Sequence, residues 1–264
     1  MQLNVKANQP ERVDRLDLFR LIVRSFFLQA SWNFQRMQGL GFVFALSPIL
    51  QKLYKDSEER TKAFVRHLKF FNTHPYFASF ILGAIARREE RRAHTGSPGE
   101  EEIISFRTTV SGPYAAIGDV FFWGALRPLA AALGLAFIVP GGRAALLGPV
   151  VFFMIYNLFH LPIRIMGVIW GYFQEELVPQ RLQQLNLIGL AARLRQVALI
   201  VLGAAAALTP HIEGVSWENH GLLLKLSAFL LILLFSELNR LRWSVHWQLA
   251  ILAITSMILV HSLD

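Results

Sequence analysis

The sequence predicts an all-α membrane protein with about five transmembrane helices, preceded by interfacial amphipathic helices and re-entrant helices. Of its 264 residues 54% are hydrophobic and only 17% are charged, against about 25% charged in soluble domains. The charge is also uneven: residues 1–118 hold 17 Lys/Arg and 11 Asp/Glu, whereas residues 119–264 hold 9 and 7. We therefore predict a basic N-terminal region with interfacial and re-entrant helices, followed by a transmembrane helical region.

The composition also excludes several classes of protein. A disordered chain lacks the apolar content found here, and a chain without cysteine has neither disulfides nor thiolate ligands. The net charge of +8 would fit a nucleic-acid-binding protein. The basic residues, however, are concentrated beside a long apolar region, so the predicted partner is the lipid bilayer and no nucleic acid is expected.

In the N-terminal region, the apolar residues of segment 13–27 recur at helical spacing, with arginines at other positions. This pattern is typical of an amphipathic helix in the membrane surface; the alternative is a core helix of a soluble domain. Residues 39–50 are apolar but too few to span a bilayer, so we expect a re-entrant or buried segment. Asp56 is expected to cap a helix that runs to about Phe71, and Pro98 to occupy the first position of the next helix.

Long apolar runs predict the membrane spans. A spanning helix needs about 20 apolar residues, and the shorter runs need flanking residues or tilt to reach that length. The runs are residues 120–139, 145–172, 197–208, 222–235 and 247–263. With a cytoplasmic N-terminus, the internal connections hold five arginines and the external ones hold one, which predicts an N-in, C-out topology. No signal peptide is expected.

Two groups of polar residues lie in the predicted spans, where polar side chains are expensive and usually functional. Asp119 and Arg127 lie about two helical turns apart, so they either form an ion pair or anchor the span, and the sequence favours neither. Asn157, His160 and Arg164 form one helical stripe, which we expect to face a subunit interface or a polar cavity. The histidines include no H-x-x-x-H pair and no P-loop occurs, so neither a metal site, a cofactor nor catalysis by this chain alone is expected.

Two clusters of polar and aromatic residues precede short apolar segments, at residues 29–36 (QASWNFQR) and 70–76 (FFNTHPY). Amides hydrogen-bond to hydroxyl groups and aromatic rings stack on apolar C–H faces, so the clusters suit a sugar. Alternatively, these side chains cap helix ends whose backbone groups are otherwise unpaired. Composition alone slightly favours the capping interpretation.

Four stretches of the chain resemble the IID subunits of the mannose/fructose/sorbose class of bacterial phosphoenolpyruvate-dependent sugar phosphotransferase systems. They are residues 29–42 (QASWNFQRMQGLGF), 67–83 (HLKFFNTHPYFASFILG), 112–128 (GPYAAIGDVFFWGALRP) and 148–167 (GPVVFFMIYNLFHLPIRIMG). The resemblance implies an inner-membrane subunit that shares the pathway of a hexose-type sugar with a IIC subunit, apparently as a trimer of IIC–IID pairs. It also implies that soluble IIA and IIB proteins, or a fused IIAB, carry the phosphate and that this chain is not phosphorylated.

The resemblance and the hydrogen-bonding chemistry together give the candidate residues. The predicted sugar or pore surface consists of Trp32, Asn33, Gln35, Arg36, Asn72 and His74. The predicted IIC interface or helix anchors are Asp119, Arg127, Asn157 and Arg164. The chain departs from the family pattern at Gln35, where Glu is usual, and at His160, where Arg is common. These departures favour an alternative function, that of a non-transporting scaffold or regulatory membrane subunit.

Overall fold

A computed structural model describes residues 10–139, 141–175 and 186–208, together with seven isolated positions between 230 and 254. The chain divides into a compact unit that ends at Leu208 and a second unit that begins at Thr209. In the second unit, the described positions are helical except for Ser244. Most residues of the last two predicted spans, 222–235 and 247–263, lie outside the described residues, and these spans stay predictions.

The described part of the first unit is helical, which confirms the predicted all-α class. Its elements are α1 (Arg15–Ser25), α2 (Gly39–Leu53), α3 (Ser57–His67), α4 (Ala78–Thr95), α5 (Glu100–Gly118), a π-helix (Asp119–Leu126), α6 (Arg127–Ile138), a 3-10 helix (Gly142–Leu146), α7 (Leu147–Phe173) and α8 (Leu187–Leu208).

Three helical stretches in the described residues are long and apolar enough to cross a membrane: Glu100–Ile138, Gly142–Phe173 and Leu187–Ala205. The first and the third begin earlier than the apolar runs that predicted them, because a helix can extend beyond the apolar part of its sequence. As a result Arg193 and Arg195, which we expected in an internal connection, lie within α8.

The predicted helix boundaries need two corrections. Asp56 caps α3 as predicted, but the helix ends at His67 rather than near Phe71, because the backbone of Phe71 pairs with the connection between α1 and α2. Pro98 does not occupy the first position of α5 but precedes its N-cap, Gly99. The helix begins instead with three glutamates, which favour the positive end of the helix dipole.

Helix α1 has one apolar face that packs on the rest of the protein and a second apolar face that is exposed. Leu18 and Leu21 are buried, whereas Leu16, Phe19 and Val23 are 54%, 61% and 43% exposed. A core helix would bury both faces, whereas a helix in the membrane surface places its uncovered apolar face among lipids. The uncovered face of α1 is available to lipid or to a partner subunit, so the placement of α1 in the membrane surface stays a prediction.

The predicted division at residue 118 does not coincide with a break in the backbone. The helix passes through Gly118 into the π-helix and on into α6. Sequence analysis does not predict the π-helix; Pro128, which has no N–H and crowds the carbonyl of Gly124, interrupts the α-helical hydrogen bonds near its end. The division between two functional regions stays a prediction.

The core is built mainly from α2, α4 and the π-helix, and α7 closes it where it crosses α4 at Gly83, Gly167 and Gly171. A Cβ on Gly83 would lie 2.2 Å from the carbonyl oxygen of Val168, and one on Gly171 would lie 2.1 Å from that of Phe80. Small residues let two membrane helices approach this closely. The crossing fixes the start of α4 against α7, and so positions the connection that carries part of the candidate site.

A buried ionic cluster joins α3 to the polar half of α4. The Glu89 carboxylate accepts hydrogen bonds from Arg66 Nε at 2.8 Å, His67 Nε2 at 2.7 Å and Tyr54 Oη at 2.6 Å. Burial alone would raise the pKa of Glu89, but the hydrogen bonds from His67 and Arg66 outweigh it and lower the pKa to about 2. Burial lowers the pKa of His67, which therefore donates to Glu89 as a neutral imidazole.

Candidate functional site

The two predicted polar clusters occupy adjacent connections, which we call the first loop (residues 26–38, between α1 and α2) and the second loop (residues 68–77, between α3 and α4). The Gln38 N–H donates to the carbonyl oxygen of Phe71 at 2.8 Å. The Phe71 N–H donates to the carbonyl oxygen of Arg36 at 3.3 Å. Backbone pairing therefore brings together two segments that are far apart in the sequence.

Gln38, which sequence analysis missed, strengthens this junction. It is 2% exposed, and both groups of its amide are used. Its Nε2 donates to the carbonyl oxygen of Thr73 at 2.7 Å, and its Oε1 accepts from the Thr73 N–H at 3.1 Å. Thr73 in turn donates its hydroxyl to the carbonyl oxygen of Ser111 at 2.8 Å. No local signal could have found Gln38, because glutamine is not a preferred N-cap residue and its side chain does not cap α2.

The second loop contacts the first two span candidates within their length rather than at their ends. His74 packs on Gly118, near the middle of the first span candidate, where an added Cβ would lie 2.3 Å from the His74 side chain. Arg164, within the second span candidate, donates to the carbonyl oxygen of Pro75. Helix-breaking segments that meet at membrane depth are typical of transporter binding sites.

Five of the six residues predicted for the sugar surface are exposed or half-buried on these loops: Trp32, Asn33, Gln35, Arg36 and Asn72. The Trp32 ring is 44% exposed and lies edge-to-face on Phe34, with ring centroids 4.9 Å apart. Three amides, an indole and a guanidinium therefore occur on adjacent loop segments. These groups can hydrogen-bond to hydroxyls and stack on a C–H face.

Asn33 also has the capping role that the alternative interpretation predicts. Its Oδ1 accepts from the Arg36 N–H at 2.9 Å, and its Nδ2 donates to the carbonyl oxygen of Ser31 at 3.4 Å. These bonds close a turn in which Met37 has a φ of 51°. Because the second bond is long, Nδ2 retains capacity to donate elsewhere, so capping and sugar binding are compatible at this residue.

His74 lies beneath this surface rather than on it. The residue is 1% exposed, and its ring stacks on Phe122 of the π-helix, with centroids 5.1 Å apart and an interplanar angle of 12°. Its Nε2 is buried without a hydrogen-bond partner in the described part of the chain. The covering π-helix is invisible in the sequence pattern. The assignment of His74 to the sugar surface stays a prediction.

The polar stripe of α7 has the geometry that its spacing predicts, and it faces the second loop. Asn157 Oδ1 lies 3.1 Å from His160 Nδ1. The His160 ring lies over Tyr76, with centroids 3.9 Å apart. The hydroxyls of Tyr76 and Tyr156 are 3.0 Å apart. The stripe therefore supports the loop from within the chain, and its predicted role toward IIC stays untested.

Arg164, at the end of this stripe, joins the end of α1 and the start of the first loop to the second loop. Its Nη1 donates to the carbonyl oxygen of Ser25 at 3.0 Å, and its Nη2 donates to that of Pro75 at 3.1 Å. The guanidinium carbon lies 4.5 Å from the ring centroid of Phe26 and 5.2 Å from that of Tyr76. A planar fork of donors held between two rings anchors both loops at once.

Asp119 and Arg127 do not form the ion pair that was one of the two alternatives. Both side chains are exposed, and neither has a salt bridge within residues 10–139, 141–175 and 186–208. The structure therefore favours anchoring of the span, or contact with a neighbouring molecule, over an internal pair.

The exposed groups of the candidate site are suited to binding a ligand. Its exposed groups are amides, an indole and a guanidinium, which neither attack substrates nor accept protons readily at neutral pH. Among the described residues, no three His, Asp or Glu side chains are grouped to hold a metal ion. Hydrogen bonding and stacking are what this surface offers.

Sequence comparison places the chain among known proteins. The family described as "PTS system mannose/fructose/sorbose family IID component" matches residues 12–262. The PTS system mannose-specific EIID component of Escherichia coli (strain K12) is 41% identical over 163 residues, which are 61% of this chain and 56% of that protein. The fructose permease IID component of Bacillus subtilis (strain 168) is 35% identical over 181 residues, which are 67% of this chain and 65% of that protein. The chain thus matches just over half of the first relative's length and just under two thirds of the second's.

Two solved structures resemble the chain over nearly its whole length. One is described as "Structure of membrane protein", with a TM-score of 0.74, 31% identity, and coverage of 94% of this chain and 97% of that one. The other is the "CryoEM Structure of Mannose Transporter ManYZ and Microcin E492 (MceA) complex", with a TM-score of 0.60, 30% identity, and coverage of 94% and 96%. Both likenesses confirm the predicted all-α membrane fold.

Proposed function

The chain belongs to the mannose/fructose/sorbose family of phosphotransferase-system IID components, and we propose that it forms the translocation unit of a sugar permease together with a IIC subunit. The observation that carries this proposal is the pairing of the first and second loops, which carry exposed amides, an indole and a guanidinium, beside the first two span candidates. We place these loops within the membrane, where exposed polar groups require a protein partner or a water-filled path. A sugar pathway shared with IIC supplies both.

The sugar surface in this proposal consists of Trp32, Asn33, Gln35, Arg36 and Asn72, with His74 as a residue behind it. The sugar is of the hexose type and is phosphorylated from IIB on the cytoplasmic side. Soluble IIA and IIB proteins, or a fused IIAB, carry the phosphate, and the IID chain is neither phosphorylated nor catalytic. The similarity to a mannose transporter structure supports the IIC partnership.

The proposed location is the cytoplasmic membrane of a bacterium, with the N-terminus inside and three IIC–IID pairs in the assembly. The end of α4 carries four arginines between Arg87 and Arg92. Such basic segments remain on the cytoplasmic side of a membrane. This end of the molecule also holds the end of α7, so the orientation is consistent with the N-in topology predicted from the sequence.

A second candidate function is a scaffold or regulatory subunit that binds IIC without carrying sugar. Gln35 is exposed on the proposed sugar surface, at a position where the family usually has a carboxylate. An amide keeps one acceptor oxygen but loses the stronger acceptor for hydroxyls or for an arginine. Sugar flux discriminates between the two functions.

The test is phosphoenolpyruvate-dependent uptake of labelled mannose, fructose, glucosamine and sorbose, in cells with and without the gene and with the partner subunits present. We expect uptake of at least one sugar to disappear on deletion and to return with the gene. Unchanged uptake of every sugar, in cells where the membrane complex still assembles, would contradict transport of these sugars and favour the scaffold.

Asn33 tests the proposed surface. Asn33→Ala removes both the cap of the first loop and the Nδ2 donor, whereas Asn33→Ser keeps an oxygen that can accept from the Arg36 N–H. We expect both variants to lower sugar uptake about two- to tenfold, since a hydrogen bond between two neutral groups is worth about 0.5–1.5 kcal/mol, while the complex with IIC still purifies intact. Normal uptake by Asn33→Ser together with impaired assembly of Asn33→Ala would assign Asn33 to capping alone.

A further inference from the structure

A cavity of about 660 Å³ opens between the start of α1, the end of α4 and the end of α7, away from the first and second loops. Its basic lining comes from two of these elements and consists of Arg12, Arg15, Arg87, Arg91 and His94. Val13 and Leu18 line it on the side of α1, and Tyr172 and Phe173 on the side of α7. The cavity is therefore both strongly basic and partly apolar.

The acidic groups around this cavity are already engaged. Glu90 accepts hydrogen bonds from Arg87 Nη1 at 2.8 Å and from the Tyr172 hydroxyl. Asp14 accepts from Lys52 Nζ at 2.7 Å. Both carboxylates thus have cationic partners of their own and do not neutralise the remaining arginines.

Two arginines remain available at the cavity mouth. Arg12 and Arg15 are exposed, and in the described part of the chain neither has an ion pair or a hydrogen bond from its side chain. Arg91, which pairs with Glu175, adds a further guanidinium to the lining. Guanidinium groups bind phosphate oxygens through paired, charge-assisted hydrogen bonds, so the lining is suited to a phosphate group.

The cavity also borders the apolar surface of the molecule. Phe173, at the end of a span candidate, lines the cavity and is 69% exposed. Phe19 lies one helical turn after Arg15 on the same face of α1 and is 61% exposed. The end of a spanning helix marks the level where hydrocarbon gives way to headgroups. A free anion would use the arginines alone, whereas a lipid would also cover these rings.

We propose that this cavity binds the phosphate headgroup of an acidic phospholipid, such as phosphatidylglycerol or cardiolipin, with Arg12 and Arg15 as its main ligands. Basic pockets beside membrane helices on the cytoplasmic side bind such headgroups in other membrane proteins. A lipid held here joins α1 to the ends of α4 and α7. The proposal does not depend on sugar transport, because the cavity shares no residue with the first or second loop.

The test is a lipid titration of the full-length chain, purified with its IIC partner in neutral detergent, with bound lipid counted by native mass spectrometry. We expect phosphatidylglycerol and cardiolipin to bind more tightly than phosphatidylcholine. Each arginine near a phosphate contributes about 1 kcal/mol, or roughly fivefold, so R12Q/R15Q should weaken acidic-lipid binding at least about tenfold. The control R60Q/K62Q removes the same charge from α3, outside the cavity, and should bind like the unmodified chain.

Three outcomes would overturn the proposal. In the first, R12Q/R15Q binds acidic lipid as tightly as the unmodified chain does, or R60Q/K62Q loses as much affinity. In the second, millimolar inorganic phosphate displaces the lipid completely, which would assign the site to a free phosphate. In the third, R12Q/R15Q weakens binding of phosphorylated IIB while lipid binding is unchanged, which would make the cavity a protein docking site.

Discussion

Replacement of Glu89 by leucine is expected to destabilise the chain by about 3–5 kcal/mol, because the buried Arg66 then loses its hydrogen-bonded carboxylate and keeps only a 3.6 Å contact with Glu100. Arg66 is 1% exposed and binds Glu89 through Nε and Nη2, at 2.8 and 3.0 Å. The same change removes the acceptor of the His67 and Tyr54 hydrogen bonds. The measurement is unfolding of the purified full-length chain in detergent at neutral pH, by heat or by titration with a denaturing detergent.

Two control variants distinguish the effect of leaving Arg66 without Glu89 from the effect of losing an ion pair as such. The double variant R66M/E89L removes both charges and should recover much of the lost stability, because apolar side chains of similar volume can replace a buried ion pair. Glu11→Leu breaks an exposed pair with Lys55, whose atoms are 2.6 Å apart, and should leave the unfolding midpoint nearly unchanged. A Glu89→Leu variant as stable as Glu11→Leu would show that the cluster carries little of the stability.

Much of the fold was predictable because its signals are local. Apolar length indicated spans, a side-chain cap marked the start of α3, and helical spacing indicated an amphipathic α1 whose apolar face the chain leaves exposed. The end of α3 was not predictable, because what stops it is pairing of the second loop with a segment more than 30 residues earlier, as between Gln38 and Thr73. Such long-range contacts produce no periodic pattern in the sequence.

The candidate site, like the fold, could be predicted from the sequence only in part. The polar and aromatic residues of the first and second loops were found by residue type, because amides and an indole beside short apolar segments suggest hydroxyl recognition. Their meeting point was not foreseen: Gln38 holds it, and neither its spacing nor its composition distinguishes it from the neighbouring Gln35. The burial of His74 was hidden for another reason, since it depends on a π-helix that contacts it from a distant part of the chain.

Arg164→Ala is expected to abolish sugar uptake. Arg164 is 4% exposed, and its removal takes a charged donor from the carbonyl oxygens of Ser25 and Pro75, of which the Ser25 oxygen keeps the Leu28 N–H at 3.2 Å. Each lost hydrogen bond from a charged group costs about 1.5–3 kcal/mol, so the loss is about 3–6 kcal/mol in total. Because these carbonyls belong to the segments on either side of the proposed sugar surface, the first and second loops lose their common anchor. The measurements are uptake and thermal unfolding of the purified complex.

Two comparison variants show whether geometry or charge matters at Arg164. Lysine keeps the charge but cannot bridge two carbonyls as a planar fork does, so Arg164→Lys should remain well below normal uptake. Arg143→Ala removes an exposed arginine of the 3-10 helix before α7 and should unfold like the unmodified chain. If Arg164→Lys transported normally, a positive charge at this depth would suffice. The coupling of the first and second loops through Ser25 and Pro75 would then have no role in forming the sugar surface.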